Sequence, residues 1–191
     1  MKSFTYNKVF VPLHRSVIAR QRLQVLPEHF LEQVARRGSW VGGGSVAALG
    51  AALAAALLQK LVVRPTIARA LRRIRRECVQ LIQKDADAFA RVIRATRHGN
   101  RHSFQRALKA ATDVPWRVFL HSQRIQAACR AAQRAVKPRF QSDLRCAMAF
   151  AMAASASART LIDTNLAWLK DAPYARRMRR RLQTATRRYG R

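Results

Sequence analysis

The stretch that decides the fold runs from Trp40 to Gln59 and reads WVGGGSVAALGAALAAALLQ. Three consecutive glycines lead through a serine into alanines and leucines, residues that favour a helix. Three explanations are open: a phosphate-binding loop, a membrane segment, or a helix packed tightly in a core. The apolar run from Val46 to Leu58 ends at Gln59 and Lys60, which makes it too short to cross a bilayer.

The glycine segment does not match the known nucleotide-binding loops, because it lacks the lysine of a P-loop and follows no predicted strand. Glycine-rich backbone before a helix still forms an anion site, since its free N–H groups point at the ligand. The alanines of residues 47–56 predict a tight seam between helices. The glycines need a separate reason, and a ligand that contacts the backbone is one.

The whole chain is predicted to be all-α, a bundle of about six long and mostly antiparallel helices. It has 191 residues with only 7 Gly and 6 Pro, and no long alternation of apolar and polar residues. We expect an irregular arm over residues 1–26, one helical domain over 27–171 and a basic helix over 172–191. Inside the domain we expect helices over 27–38, 45–64, 65–97, 103–137 and 142–171, with a break or kink at Pro115.

The charge is strongly positive, with 38 Lys+Arg against 9 Asp+Glu, for a formal net charge of +29. This balance favours polyanionic partners such as nucleic acid, although an arginine-rich solvated surface explains it equally well. Residues 172–191 carry eight arginines and no acid. Their tyrosines, Tyr174 and Tyr189, lie at the ends of the segment, so we expect any polyanion binding to be independent of sequence.

Cysteine and histidine residues show no metal-binding spacing, and we expect no metal ion. Cys78, Cys129 and Cys146 lie among apolar neighbours, which predicts buried free thiols in a reducing compartment. No secretory signal is apparent at the N-terminus. We therefore expect a cytoplasmic protein that is not bound to a membrane.

Asp85 occupies a position on the apolar stripe of the helix that follows Pro65. The stripe comprises Leu71, Ile74, Cys78, Leu81, Phe89 and Val92. Asp87 points about 200° around the helix from Asp85, so we expect it to be exposed. A carboxylate in an apolar stripe is costly unless it is paired or lines a cavity. Asp85 is therefore either a buried partner of an arginine or a pocket carboxylate that transfers protons.

Asn165 is the corresponding polar residue on the stripe of the helix after Ser142. The stripe comprises Leu144, Ala147, Ala151, Ser155, Ala158, Ile162 and Leu169. A lone Asn in such a stripe most simply satisfies a neighbouring backbone group. Ser142 is predicted to cap this helix, with Asp143 in its first turn.

Five motifs occur in the order of a known family: GGGSVAA, DADAFARVIRA, ALKAATDVP, SDL and TNLAWLKD. Together they resemble the cyclodeaminase domain of formiminotransferase-cyclodeaminase, over roughly residues 27–171. The same family includes stand-alone methenyltetrahydrofolate cyclohydrolases. The resemblance implies a helical, usually dimeric fold with a folate pocket between helices. It implies a homodimer here, and we expect its interface to include helix 45–64.

The resemblance also implies a set of site residues. Asp85 corresponds to the candidate catalytic acid or base. The substrate-binding positions correspond to Gly42, Gly43, Gly44, Ser45, Ser142, Asp143 and Asn165. The implied substrate is a tetrahydrofolate derivative that carries a one-carbon group, and no bound cofactor is expected. The glycine backbone and nearby arginines are expected to hold the anionic glutamate tail of the folate.

Several pocket positions depart from the family pattern. Val41 replaces the usual Pro before GGGS, and Leu161 replaces the first Asn of a late pair. The loop that usually follows the alanine-rich helix is missing between Lys60 and Pro65, and VKPRFQ replaces a Gly-Asn-x-Asn run before Ser142. The chain is therefore either a divergent enzyme or an inactive member of the family that binds nucleic acid or another polyanion through its arginines.

Overall fold

The computed structural model describes residues 28–97 and 99–190, which form α-helices and one short 3-10 helix but no strand. The helices are α1 (Glu28–Ala35), α2 (Gly43–Leu61), α3 (Pro65–Arg97), α4 (Arg101–Ala132), α5 (Gln141–Trp168) and α6 (Ala172–Tyr189), and the 3-10 helix is Pro138–Phe140. The predicted all-α fold is confirmed. The predicted arm over residues 1–26 lies outside the described residues, and α1 belongs to a unit of its own, residues 1–36.

Helices α2, α3, α4 and α5 form an antiparallel bundle. Glu77 lies twenty residues before the end of α3, and it contacts His121, which lies twenty residues after the start of α4. Contacts with this reversed order also join α2 to α3, α4 to α5 and α5 to α2. The pairs are Ser45–Ile82, Gln123–Ser155 and Lys60–Asp143. The bundle therefore closes on itself, with α2 packed against the other three helices.

The alanine-rich face of α2 is buried inside a single chain. Its small side chains let the other helices approach closely, as at Gly50, where an added Cβ would lie 3.7 Å from the Cβ of Ala154. The tight seam predicted for residues 47–56 is thus confirmed. Ala51 and Ala55 are completely buried there. A second copy of the chain has access only to the other face of α2.

Helix α2 is also the one helix in the described ranges that is long and apolar enough to cross a membrane. Its 19 residues extend beyond the apolar run, so run length alone does not exclude a membrane span. Half of its apolar window is buried in the bundle, as is typical of a core helix.

Pro115 and Ser142 do not have the predicted effects on their helices. Pro115 is buried within a continuous α4, so the predicted break is wrong. Packing on both sides holds the helix together despite the lost hydrogen bond. Helix α5 begins at Gln141 with Phe140 in the capping position, so Ser142 is not the cap, although Asp143 does lie in the first turn.

Helix α6 packs on α4 and runs parallel to it. Contacts near the start of one helix meet the start of the other, and contacts near the end meet the end. Tyr174 Oη donates to the Lys109 carbonyl at 3.3 Å, and Arg124 Nε donates to Tyr189 Oη at 3.3 Å. The buried stripe of α6 is thin. It consists of Ala175, Met178, Leu182 and Ala185. The arginines between these positions remain exposed, which leaves a strongly basic surface beside α4.

One cysteine prediction is wrong. Cys78 and Cys129 are buried free thiols, as expected, but Cys146 is exposed. Helix α5 carries small and apolar residues on its outer face as well as its inner face, so apolar neighbours do not indicate burial there.

Candidate active site

A cleft of about 490 Å³ lies among the start of α2, the second half of α3, the first half of α4 and the end of α5. Its volume is in the range of pockets that bind small molecules. Four aromatic side chains line it: Trp40, Phe89, Phe104 and Trp168. The Trp40 and Phe89 rings meet edge to face at 6.4 Å between centroids. Such walls suit a flat aromatic ligand.

Asp85 is the only charged side chain among the described residues that line the cleft. The apolar stripe of α3 passes at this point from the core into the cleft, because Leu81 is buried whereas Phe89 is 46% exposed and lines the cleft wall. Asp87 is exposed and accepts a hydrogen bond from Gln83 Nε2 at 2.9 Å. The predicted difference between the two carboxylates is confirmed.

The environment of Asp85 favours its protonated form. No Lys, Arg or His in the described ranges lies within ion-pair distance of its carboxylate, so no arginine of those ranges is its partner. Burial raises the pKa of Asp85 above its ordinary value of 3.8, although hydrogen bonds from the hydroxyl and backbone N–H of Ser45 oppose this. A carboxyl group of raised pKa in a cleft is suited to proton transfer.

Ser45 lies behind Asp85 and is completely buried, outside the set of residues that line the cleft. Its Oγ lies 2.9 Å from the Ile82 carbonyl oxygen and 3.2 Å from Asp85 Oδ2. One hydroxyl proton serves one acceptor at a time. Ser45 can donate to ionised Asp85, or donate to Ile82 and accept from protonated Asp85. It therefore supports both protonation states.

The three glycines line the cleft at the start of α2, where Gly42 is the N-cap and offers no side-chain cap. A Cβ on Gly44 would lie 2.6 Å from Asp85 Oδ2 and closer still to Oδ1. A Cβ on Gly43 would meet only Leu161 at 3.9 Å, and one on Gly42 would meet nothing within 4 Å. The absence of a side chain at Gly44 thus makes room for the Asp85 carboxylate where it lies. For Gly42 and Gly43, a ligand that contacts the backbone remains the explanation.

Asn165 lies on the opposite wall of the cleft, on α5. Its side chain forms no hydrogen bond with the described residues, so no backbone group among them is satisfied by it. Its amide group remains able to donate to and accept from a ligand. Leu161, one turn earlier, also lines the cleft. It gives the cleft an apolar surface at the position where the family pattern described above has an Asn.

Sequence reasoning missed an acceptor in the cleft. Pro115 has no N–H, so the carbonyl of Ala111, four residues earlier, lacks its helical donor. Both residues line the cleft. The signal is present in the sequence as a proline within a helical pattern, which predicts a break or kink but does not show that the freed carbonyl faces a cleft.

Ser142 and Asp143 are not among the residues that line the cleft. Asp143 Oδ2 forms an ion pair with Lys60 Nζ at 2.8 Å, sixteen residues along α2 from Gly44. That spacing corresponds to about 24 Å along the helix axis. No Lys or Arg is among the described residues that line the cleft, so none of them makes the expected arginine contacts to a glutamate tail. Within the described ranges, no three His, Cys, Asp or Glu side chains are placed to hold a metal ion.

Comparison with known proteins identifies the family. The formiminotransferase-cyclodeaminase family model matches residues 27–184, most of the chain. Among solved structures, the crystal structure of formiminotetrahydrofolate cyclodeaminase from Thermotoga maritima is similar, with a TM-score of 0.81 and 22% identity over 87% of this chain and 91% of that one. At this identity the likeness shows the fold. No curated protein sequence matches. The chain belongs to the formiminotransferase-cyclodeaminase family.

Proposed function

We propose that the protein is a divergent cyclodeaminase or cyclohydrolase that acts on a one-carbon derivative of tetrahydrofolate. The observation that carries this proposal is Asp85, a carboxyl group of raised pKa in an otherwise uncharged, aromatic cleft. The family match and the structural likeness to a formiminotetrahydrofolate cyclodeaminase support it. The folate is the substrate, and the reaction requires no resident cofactor.

The two candidate reactions use Asp85 in opposite protonation states. In cyclodeamination, the amine nitrogen that links the pterin to the benzoyl group attacks the formimino carbon held on the pterin ring, and the amino group leaves as ammonia, which requires a proton from an acid. In cyclohydrolysis, water adds to the cationic methenyl carbon while a base accepts its proton. A carboxyl group whose pKa is raised toward neutrality fits either role. Ser45 supports both states through its single hydroxyl proton.

The cleft fits the pterin end of the substrate rather than its tail. Aromatic side chains offer flat surfaces to the ring system, and the amide of Asn165 with the carbonyl of Ala111 offers donors and acceptors to its polar edge. The glutamate tail is anionic, and none of the cleft-lining residues that the structure describes is basic. We therefore place the tail at the cleft mouth, toward solvent.

The direct test is turnover by the purified protein. Methenyl-tetrahydrofolate is followed by loss of its absorbance, and formimino-tetrahydrofolate by release of ammonia. We expect one of the two to be converted. Failure to convert either substrate contradicts the proposal and favours the alternative, an inactive family member that binds nucleic acid or another polyanion through its arginines.

We also propose that the protein forms a homodimer through the outer face of α2 and the adjoining face of α5. Val46, Leu53 and Phe150 are 43%, 39% and 47% exposed, and the Phe150 backbone lies beside Gly50, between Val46 and Leu53 on α2. This face carries no charged side chain between residues 46 and 57 of α2. Two copies of a protein of charge +29 repel elsewhere, so an uncharged apolar face suits self-association.

Leu53→Asp tests this interface, because it places a charge at the centre of the face. We expect the wild-type protein to sediment as a dimer at micromolar concentration and the variant as a monomer. Val79→Asp is the matched control, since Val79 is an exposed valine on α3, away from this face, with an exposed fraction of 54%. A monomeric wild type, or equal dissociation of both variants, contradicts the proposal.

The cytoplasm is the location that we propose. Burial raises the pKa of the Cys78 thiol to about 12 and that of Cys129 to about 11, so both remain protonated and unreactive. Free buried thiols are typical of proteins in reducing compartments.

A further inference from the structure

A second concave surface, on a different side of α4 from the cleft, has the opposite electrostatic character. This groove of about 340 Å³ lies between α4 and α6. Trp116 lines the groove, whereas its neighbour Pro115 lines the cleft, so the two sites face different directions from α4. The groove contains four arginines: Arg124, Arg180, Arg181 and Arg188. No acidic side chain lines it.

The parallel packing of the two helices arranges these cations in a row. On α4, Trp116, Leu120 and Arg124 repeat every four residues along the groove. On α6, Arg181 and Arg188 are seven residues apart and share a face. From residue 116 to residue 124 the groove follows α4 for about 12 Å.

Aromatic side chains hold the arginines in place without neutralising them. The Arg181 guanidinium lies 4.5 Å from the centre of the Trp116 ring, and that of Arg188 lies 5.4 Å from the Tyr189 ring. Arg124 Nε donates a hydrogen bond to Tyr189 Oη. Stacking of this kind orders a guanidinium group while leaving N–H donors free.

The groove lacks internal counter-charges. None of the five ion pairs among the described residues involves its four arginines. All nine acidic residues of the chain lie at or before Asp171, so α6 has none of its own. The acid on α4 one turn before Trp116 is Asp113, and it contacts Tyr174 Oη at 3.4 Å. The described residues therefore leave this row of cations open to an anionic ligand.

We propose that the α4–α6 groove binds the phosphate backbone of single-stranded nucleic acid, independently of its sequence. Arginine pairs with phosphate through two parallel N–H donors, and successive phosphates match a row of cations. The small volume admits one strand rather than a duplex. Because Arg181 covers the Trp116 ring, that ring is not free to stack on a base, and the contacts are to phosphate. This inference does not depend on the folate function proposed for the cleft.

The test compares two triple variants of equal charge. Arg180, Arg181 and Arg188 are replaced by Gln in one, and Arg69, Arg72 and Arg76 in the other. All six are exposed, but only the first three line the groove. Binding of a labelled single-stranded oligonucleotide of mixed sequence is measured by fluorescence anisotropy over a salt series. Inorganic polyphosphate and vesicles of anionic lipid serve as competitors.

We expect the triple variant in the groove to bind the oligonucleotide about a hundredfold more weakly than wild type at ~0.1 M salt. The slope of log K against log salt should become shallower by about two, because three phosphate contacts are lost. The α3 variant changes affinity by no more than about threefold. Arg180→Gln alone, at an exposed position, should cost about fivefold and keeps the test valid if the triple variant does not fold.

Several outcomes overturn the proposal. Equal losses in both triple variants show that binding follows net charge rather than the groove. Absence of oligonucleotide binding at low salt removes nucleic acid as a ligand. Stronger competition by polyphosphate or by vesicles than by unlabelled oligonucleotide assigns the groove to another polyanion or to a membrane. Folate turnover should be unchanged in both variants, so failure here is distinct from failure of the cleft function.

Discussion

Asp85→Asn is expected to lower kcat for the folate reaction by about 10²- to 10⁴-fold, the usual contribution of a general acid or base. The amide preserves the shape of the side chain and its contact with Ser45 but cannot exchange the proton. Steady-state turnover of purified protein measures the loss. Asp87→Asn is the matched control, because Asp87 is exposed and contacts only Gln83. Equal activity of the two variants contradicts the role of Asp85.

The same substitution has a predictable effect on stability, which separates lost chemistry from lost folding. Burial raises the pKa of Asp85 above its ordinary value of 3.8, so the folded state disfavours the ionised form. The resulting loss of stability begins as the pH rises above 3.8 and is complete above the folded-state pKa. Urea unfolding at pH 7 should therefore show Asp85→Asn at least as stable as wild type, with any advantage disappearing below pH 3.8.

A pH profile provides a third readout. The wild-type profile of kcat/KM should contain a limb with an apparent pKa above 3.8, on the acidic side if Asp85 acts as a base and on the basic side if it acts as an acid. The limb should be absent from the residual activity of Asp85→Asn. A limb that persists unchanged in the variant assigns the titration to another group.

The sequence was sufficient to predict features that depend on local spacing. Pro65 begins α3 as predicted, because proline suits the first turn of a helix. Helical periodicity also placed Asp85 and Asn165 on the inward side of their helices. Both line the cleft, since a spacing of three or four residues determines the face of a helix wherever that helix packs.

Features that depend on distant contacts were not predictable from spacing. The reason for Gly44 is a carboxylate 41 residues away. Which described residues surround the Asp85 carboxylate depends on how four helices meet. Ser142 and Asp143 were grouped with the glycines by resemblance, but the antiparallel packing of α2 and α5 holds Asp143 beside Lys60, near the far end of α2.

The steric fit between Gly44 and Asp85 makes a sharper test than removal of the carboxylate. In a helix, Ala is ordinarily favoured over Gly by about 1 kcal/mol. At position 44, however, the added Cβ would lie 2.6 Å from Asp85 Oδ2, which is too close for both groups to keep their places. Because Gly44 starts a buried turn of α2, the carboxyl group is the part that moves. Its acid–base chemistry should then be lost although Asp85 itself is present.

Gly44→Ala is therefore expected to reduce kcat by about 10²-fold or more, approaching the effect of Asp85→Asn, because a misplaced acid–base group loses most of its catalytic contribution. Gly43→Ala is the matched control, since its Cβ would make only an ordinary contact with Leu161 at 3.9 Å. That variant lines the same cleft, so it should alter KM more than kcat. The double variant Gly44→Ala, Asp85→Asn should be no slower than the slower of the two single variants, because both changes remove one function. Wild-type kcat in Gly44→Ala, or losses that multiply in the double variant, would show that the position of the Asp85 carboxyl group does not control the reaction.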